Sequence, residues 1–269
     1  MDGGADRTDA GGTDAEAGTS LPPSMLCHNG NCLTLPADVR ANMVLLLWPS
    51  NLPVVGATVP IWADQSGQGN NATALYPNLP PHVITDGVQL DSSQPNTGTG
   101  FVVANSSSLD FGSGDFAVIV VAGLSSSTTP LSFFRKSDGA RTNSQQISLD
   151  WVLSSTSSAV TGQPQGVVDD ATVASSSNIS QPSVEAYTLY RSSDHLELDL
   201  NQAVLGTADL PTPGLSTTNT ADLYLGVSGI LGNPVDSIEA VVAIRGSIGS
   251  TELDQLEGFM RDVFATSSP

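Results

Sequence analysis

The sequence of 269 residues predicts an all-β sandwich that closes with one short C-terminal helix. Most of the chain consists of short apolar runs separated by clusters of Gly, Pro, Ser, Asn and Asp, which is typical of strands joined by turns. Some of these runs alternate apolar with polar residues, as strands with one solvated face do. A helical spacing of apolar residues is clear in one segment, residues 251–264.

The predicted strands are residues 43–48, 54–61, 101–104, 116–122, 147–153, 184–190, 196–200, 223–227 and 238–244. The run 116–121 is continuously apolar and rich in β-branched residues, so we expect it in the middle of the sandwich with both faces covered. Residues 147–153 and 196–200 alternate, and each of these two strands is expected to have one face in water.

The C-terminal helix is predicted from apolar residues at spacings of three and four: Leu253, Leu256, Phe259, Met260, Val263 and Phe264. Ser250 or Gly249 stands where a helix cap is expected, and Glu252 and Asp254 place negative charge in the first turn. We expect this helix to pack on the sandwich as a terminal plug.

The charge balance excludes two classes of function. The chain carries 8 Lys and Arg against 27 Asp and Glu, a formal charge of −19, whereas nucleic-acid binding needs clustered cations. The anionic surface of a membrane repels such a chain for the same reason. No apolar run approaches 18 residues, so no transmembrane segment is predicted.

Residues 1–24 are predicted to be a disordered tether, and residues 25–269 a single sandwich domain. The first residues are rich in Asp, Gly and Thr and almost free of large apolar side chains, so they cannot bury enough surface to order themselves. The segment resembles the tethers that follow the lipidated cysteine of bacterial exported lipoproteins. That resemblance implies a protein secreted or held at a bacterial cell surface, with lipid anchoring through a removed N-terminal signal as one route.

Cys27 and Cys32 are the two cysteines of the chain, and the polar turn-forming residues 28–31 separate them. We expect them to form a disulfide that closes a small loop at the edge of the fold. The alternative is a metal site of both thiolates and His28. It supplies three ligands without a visible second pair, unlike a closed zinc site.

Three motifs in order resemble one known superfamily. Residues 61–73, with the letters IWADQSGQGNNAT, resemble the W-x-D-x-S-G-x-G-N-x-A turn of bacterial concanavalin A-like lectin/glucanase domains, the laminin-G-like and pentraxin-like jelly rolls. Residues 114–121 resemble an apolar strand of these domains, and 223–226, 238–243 and the C-terminal helix resemble their end. The match covers roughly 40–264. It departs from the pattern at Asn201-Gln202-Ala203 and at Ile244-Arg245-Gly246, near the sheet edges.

The resemblance implies a concanavalin A-like jelly roll and a non-catalytic extracellular recognition or adhesion module. Its partner would be a carbohydrate or another cell-surface ligand, with a glycan favoured. Two alternatives stay open: a glycoside hydrolase or lyase of the same fold, and a structural surface protein without a small ligand.

The hydrolase alternative depends on residues 197–201, Glu-Leu-Asp-Leu-Asn. Laminarinase-type hydrolases of the superfamily carry Glu-x-Asp-x-Glu on one strand face, where the carboxyl groups act as nucleophile and as acid/base. Asn201 occupies the third position here, and an amide cannot serve as the acid/base. The motif therefore favours a half-buried strand with an outward acidic face, and the sequence predicts no catalytic residues.

Asp64, Asn70 and Asn71, together with Ser66, concentrate oxygen atoms that suit calcium. The alternative is that Asp64 accepts hydrogen bonds from the backbone of the following turn and holds it closed. The sequence favours the turn and leaves calcium as the candidate metal.

The candidate ligand-binding residues are Asp150, Trp151, His195, Glu197 and Asp199. Alternation places the polar members on the solvated faces of their strands, and they would form one acidic strip if the two strands were neighbours on a concave sheet. Such a strip accepts hydrogen bonds from sugar hydroxyls or binds a calcium ion that orients the sugar. The alternative is a solvated acidic surface. Trp48 and Trp62 sit in apolar patterns and are expected in the core.

Overall fold

The computed structural model describes residues 23–90, 99–124, 131–137, 146–153, 161–168, 171–175, 179–180, 184–228 and 237–264. Residues 1–22 of the predicted tether lie outside these ranges. In chain order the elements are β1 (Met25–His28), β2 (Asn31–Thr34), α1 (Ala37–Asn42), β3 (Met43–Leu47), β4 (Ile61–Trp62), β5 (Ala72–Ala74), β6 (His82–Ile84), β7 (Gly87–Gln89), β8 (Phe101–Val103), β9 (Phe116–Gly123), β10 (Leu131–Lys136), β11 (Ile147–Leu153), β12 (Thr161–Val168), β13 (Ala171–Ala174), β14 (Ile179–Ser180), β15 (Val184–Ser192), β16 (His195–Leu200), β17 (Ala203–Asp209), β18 (Leu223–Ser228), β19 (Ser237–Arg245) and α2 (Ser250–Phe264).

Two antiparallel sheets form a β-sandwich, which confirms the predicted fold class. The nine-stranded sheet, here the front sheet, has the order β13-β12-β11-β10-β18-β8-β5-β4, and β14 pairs with β12. The eight-stranded back sheet has the order β17-β16-β15-β9-β19-β7-β6. β3 pairs with the second half of β19, and β7 pairs with its first residues.

β9 runs through the middle of the back sheet and is buried over its whole length. Its alternate residues Phe116, Val118 and Val120 join the core between the two sheets. Ala117 and Ile119 face the other way and join a second apolar cluster. The continuous apolar run therefore has both faces covered, as the sequence predicts.

The second cluster lies on the outer face of the back sheet, under α1, α2 and the β1–β2 hairpin. The predicted C-terminal helix is present and packs against β15 and β9. Trp48 belongs to this cluster, and its indole Nε1 donates to the carbonyl of Cys27 at 2.9 Å. A disulfide joins Cys27 to Cys32 across the hairpin. Among the described residues no helix is long and apolar enough to cross a membrane.

The strand predicted at 54–61 is wrong. Val54 and Val55 are exposed, the amide of Ala57 donates to the carbonyl of Val54, and Gly56 has a φ of +85°. A turn therefore occupies the β-branched pair, and regular pairing resumes only at β4. Prolines at 53 and 60 lack the amide hydrogen that a continuous ladder requires.

Candidate functional site

Asp150 and Glu197 lie in different sheets, so the predicted shared strip is wrong. Asp150 is on β11 of the front sheet, and Glu197 is on β16 of the back sheet with His195 and Asp199. Alternation predicts which face of its own strand a residue takes, but it holds no information on which sheet the strand joins.

The outer face of the front sheet carries Asp150 and a row of side chains at the level of Arg135. In β10, β11 and β18, Phe134, Leu149 and Leu225 point into the core. Their neighbours along each strand take the outer face by alternation. The pairing sets a row across the sheet, here the Arg135 row: Val167, Ser148, Arg135, Tyr224, Val102 and Thr73.

A second row lies two residues further along β11 and contains Asp150. Asp150 pairs with Ser132 on one side and with Gln165 on the other. Ser148 Oγ donates to Asp150 Oδ2 at 2.7 Å, and Arg135 Nε donates to Ser137 Oγ at 3.0 Å. Ser132 and Ser148 are buried, so the accessible groups of the two rows are a guanidinium, a carboxylate, a carboxamide, a phenol and the Thr73 hydroxyl.

No described helix or hairpin packs on this face, whereas α1, α2 and the β1–β2 hairpin all lie on the back sheet. Arg135, Asp150, Gln165 and Tyr224 are half-buried, so parts of these side chains remain accessible to solvent. Trp151 follows Asp150 in β11, but its side chain lies outside the described part of the structure.

On β16 the three predicted ligand-binding residues have different surroundings. His195 is half exposed, with its Nδ1 3.0 Å from Asp209 Oδ1. Glu197 is half-buried, but Asp199 is only 5% exposed. Burial, reinforced by the charges of Glu197 and Asp254, raises the pKa of Asp199 to about 7.

The predicted solvated position of Asp199 is therefore wrong. On the outer face of the back sheet α2 packs on β15, the strand next to β16, and the alternating pattern of β16 does not reveal this long-range contact. Asn201 lies beyond β16 in a turn with a φ of +52°, where its Oδ1 accepts from the amide of Ala186 at 3.0 Å. The strand thus ends before the third position of the hydrolase motif.

Asp64 closes the turn that follows β4. Its Oδ1 accepts from the amides of Leu46 at 2.9 Å and Ser66 at 2.8 Å, while Oδ2 accepts from Ser66 Oγ at 2.7 Å and from the amide of Asn70 at 2.9 Å. Asn71 Oδ1 in turn accepts from the Asp64 amide at 2.9 Å.

These bonds occupy the oxygen atoms that a calcium ion would need. Asn70 Oδ1 is also used, because it accepts from Ser106 Oγ at 2.7 Å. The described residues contain no group of three or more His, Cys, Asp or Glu placed to hold a metal ion. The geometry matches the turn interpretation rather than the calcium interpretation.

Two buried cations, Lys136 and Arg191, were not predicted from the sequence. Lys136 is 1% exposed, and its Nζ donates to Asn105 Oδ1 at 2.8 Å and to the carbonyl of Asn219 at 2.9 Å, with Asp110 Oδ1 at 3.3 Å. Burial lowers the pKa of Lys136, and Asp110 opposes that shift. Arg191 donates to three backbone carbonyls, at Ser193, Leu215 and Ser113. Both cations hold loops at the ends of the sandwich. The sequence feature that could have indicated the role of Lys136 is that it is the chain's single lysine.

No protein-family model matches the chain, and the search of curated proteins finds no match. Solved structures do match. Domain 4 of AbnA, a GH43 extracellular arabinanase from Geobacillus stearothermophilus in complex with arabinotriose, has a TM-score of 0.56 at 12% identity over 80% of this chain and 98% of that chain. An arabinofuranosidase complexed with arabinofuranosyl-alpha-1,2-xylobiose has a TM-score of 0.54 at 12% identity over 76% of this chain and 50% of that chain.

A structure of botulinum neurotoxin type C, whose cell entry depends on interaction with two ganglioside molecules, has a TM-score of 0.54 at 12% identity over 82% of this chain and 52% of that chain. The chain therefore spans about half the length of the arabinofuranosidase and neurotoxin chains. At these identities the likeness shows a shared β-sandwich fold and no more.

Proposed function

We propose that this chain is a non-catalytic, extracellular glycan-recognition module of the concanavalin A-like class that binds sugars on the outer face of the front sheet. One observation carries the proposal: the Arg135 row lies beside Asp150 on a sheet face over which no described helix or hairpin packs. Export to the cell surface is part of the same proposal, and the disulfide between Cys27 and Cys32 fits an oxidising compartment.

The chemistry of the face suits a sugar. Arg135 presents a planar guanidinium that can donate to two neighbouring hydroxyls, and Asp150 can accept from hydroxyl groups. The Tyr224 ring offers an apolar surface for the C–H face of a pyranose or furanose, with a phenol at its edge. Because β10, β11 and β18 are adjacent in the sheet, these three side chains are held on regular strands rather than on loops.

The fold neighbours favour recognition of carbohydrate. The arabinanase domain matches over nearly its whole length, and that domain was solved in complex with arabinotriose. The matched arabinofuranosidase and neurotoxin chains are about twice as long as the part that matches this chain. A binding function requires only the matched domain, so it is the simpler proposal for this chain.

Hydrolysis is the weaker candidate. A glycosidase needs two carboxyl groups about 5–9.5 Å apart at a site open to substrate. Within the described residues of the Arg135 row and the neighbouring Asp150 row, Asp150 is the one carboxylate. Glu197 and Asp199 are on the other sheet, where α2 covers Asp199.

The test is a glycan array probed with the labelled full chain, with and without EDTA, followed by titration of the strongest ligand. We expect binding that EDTA leaves unchanged and that Arg135→Ala and Tyr224→Ala each weaken at least about tenfold, in line with the loss of one well-placed contact. Arg245→Ala, at an exposed arginine of the back sheet, is the matched control and should bind as wild type does. Absence of any glycan ligand would favour the structural alternative and contradict the proposal.

A further inference from the structure

Two buried carboxyl groups lie near each other between α2 and the back sheet, because Thr188, which hydrogen-bonds to Glu257, is the cross-strand partner of Asp199. Asp199 projects from β16 and is 5% exposed, and Glu257 projects from the middle of α2 and is 1% exposed. The charge of Asp199 helps to raise the pKa of Glu257, and the two carboxyl groups have the same acidic neighbours, Glu197 on β16 and Asp254 on α2. The interface between helix and sheet therefore concentrates negative charge.

Nothing described neutralises this charge. Asp199 Oδ1 and Glu257 Oε1 are buried and accept no hydrogen bond, and neither residue forms an ion pair with a described residue. Thr188 of β15 supplies one hydrogen bond to Glu257. Two ionised carboxylates in such a place repel each other and pay the desolvation cost of burial, so a proton held by one or both relieves the conflict.

Four further titratable groups of α2 and the neighbouring strands have partners of their own. The Tyr190 hydroxyl on β15 donates to the carbonyl of Ile248. Arg261, one turn after Glu257, donates to Gln202 Oε1 and to Asp262 Oδ1. On the neighbouring strands, Glu185 accepts from Asn201, and His195 is paired with Asp209.

A second contact joins the β16–β17 hairpin to the helix. Gln202 has a φ of +71°, a left-handed conformation that side chains other than Gly, Asn and Asp rarely adopt. Its Nε2 donates to the carbonyl of Asp254 at 2.6 Å, and its Oε1 accepts from Arg261 Nη1 at 2.8 Å. The strained turn is thus held by α2, and the hairpin and the helix are coupled across the same interface.

We propose that α2 is a proton-dependent latch, held against the back sheet by protons on Asp199 and Glu257 and loosened when those protons are lost. The core between the two sheets does not include α2, so the sandwich can remain folded while the helix loosens. This device is independent of the glycan face on the opposite side of the molecule.

The direction of the pH effect follows from the two carboxyl groups. Burial raises the pKa of Asp199 and that of Glu257 to about 7, from ordinary values of 3.8 and 4.5. The docked state therefore keeps protons that the undocked state has already released, and docking weakens as pH rises from about 4.5 through about 7. For one shared proton whose pKa is about 4.5 in the undocked state and about 7 in the docked state, the equilibrium constant for docking of α2 falls about tenfold between roughly pH 6 and pH 8.

Hydrogen exchange with mass spectrometry on the full chain tests the latch. The measured quantity is the protection factor, which corrects each rate for intrinsic exchange at that pH. Burial also raises the pKa of Glu239 on β19, to about 8, so the comparison is made in the Glu239→Gln chain, where this second pH response is removed. In that chain we expect peptides within α2 to lose protection about tenfold between roughly pH 6 and pH 8, while peptides within β19 keep theirs. Glu257→Gln and Asp199→Asn each replace one carboxyl with an uncharged group of the same shape. Each single replacement should reduce the loss, and both together should make the protection of α2 nearly independent of pH, because burial raises the pKa of each carboxyl separately.

Asp262→Asn is the control, since Asp262 is an exposed carboxylate on the same helix. It should retain the wild-type pH response. In the Glu239→Gln chain, unchanged α2 protection across this pH range would overturn the latch, and so would an equal loss in α2 and β19. A full pH response that persists when Glu257→Gln and Asp199→Asn are combined would also overturn it. If the combined variant does not fold, the two single replacements still decide, since each must reduce the response.

Discussion

Replacing Asp64 with alanine tests whether this carboxylate closes a turn or binds calcium. The substitution removes the acceptor for the amides of Leu46, Ser66 and Asn70 and for the Ser66 hydroxyl. Ser66 and Asn70 are buried, so water cannot fully replace the lost bonds. Hydrogen bonds to a charged group contribute about 1.5–3 kcal/mol each, and partial relaxation brings the expected loss to about 3–5 kcal/mol of unfolding free energy.

The assay is urea denaturation of wild type, Asp64→Ala and the control Asp209→Ala, each with EDTA and with added calcium chloride. Asp209 is an exposed carboxylate, so its removal should change the unfolding free energy by less than about 0.5 kcal/mol. If Asp64 closes the turn, EDTA leaves the wild type unchanged. A loss below about 1 kcal/mol in Asp64→Ala would refute the hydrogen-bond argument, and a large EDTA effect that is absent from Asp64→Ala would restore the calcium interpretation.

Three further predictions concern packing and charge. A Cβ added at Gly206 would overlap the carbonyl oxygen of Ala174, where β17 meets β13. In urea denaturation, Gly206→Val should therefore lower the unfolding free energy by about 2–4 kcal/mol. The control Thr207→Val, at an exposed position, should leave it unchanged. Burial raises the pKa of Glu239 to about 8, so its contribution to stability falls as pH rises from about 4.5 to about 8. Glu239→Gln should flatten that dependence when Tm is measured across the range. Self-repulsion from a net charge of −19 predicts that Tm rises as sodium chloride goes from about 10 to 200 mM, and a constant Tm would contradict it.

Local patterns were sufficient for the elements that dominate the core. The continuous apolar run predicts β9, because a strand buried on both faces needs apolar residues at every position. The 3.6-residue period predicts α2, because a helix buried on one side needs apolar residues along one stripe. The prediction of one strand at 54–61 was wrong because β-branched residues indicate strands even where glycine and proline interrupt the ladder. A turn occupies 54–56, and regular pairing begins only at β4.

The candidate site was predicted only in part, because its geometry depends on long-range pairing. Asp150 takes the outer face of its strand as expected, but its neighbours Arg135 and Tyr224 reach it from β10 and β18, which lie far away in the sequence. Asp199 alternates as predicted and is nevertheless buried, because α2 packs on the neighbouring strand β15. Neither fact is encoded within a window of ten residues around the site.

The most direct measurement for the proposed function is the hydrogen-exchange footprint of the strongest array glycan on the wild-type chain. The proposal predicts that saturating glycan slows exchange in peptides from β10, β11 and β18, which carry Arg135, Asp150 and Tyr224. Peptides from β16 and α2, on the opposite side of the sandwich, should exchange at the same rate with and without glycan. A footprint confined to β16 and α2 would contradict binding on the outer face of the front sheet.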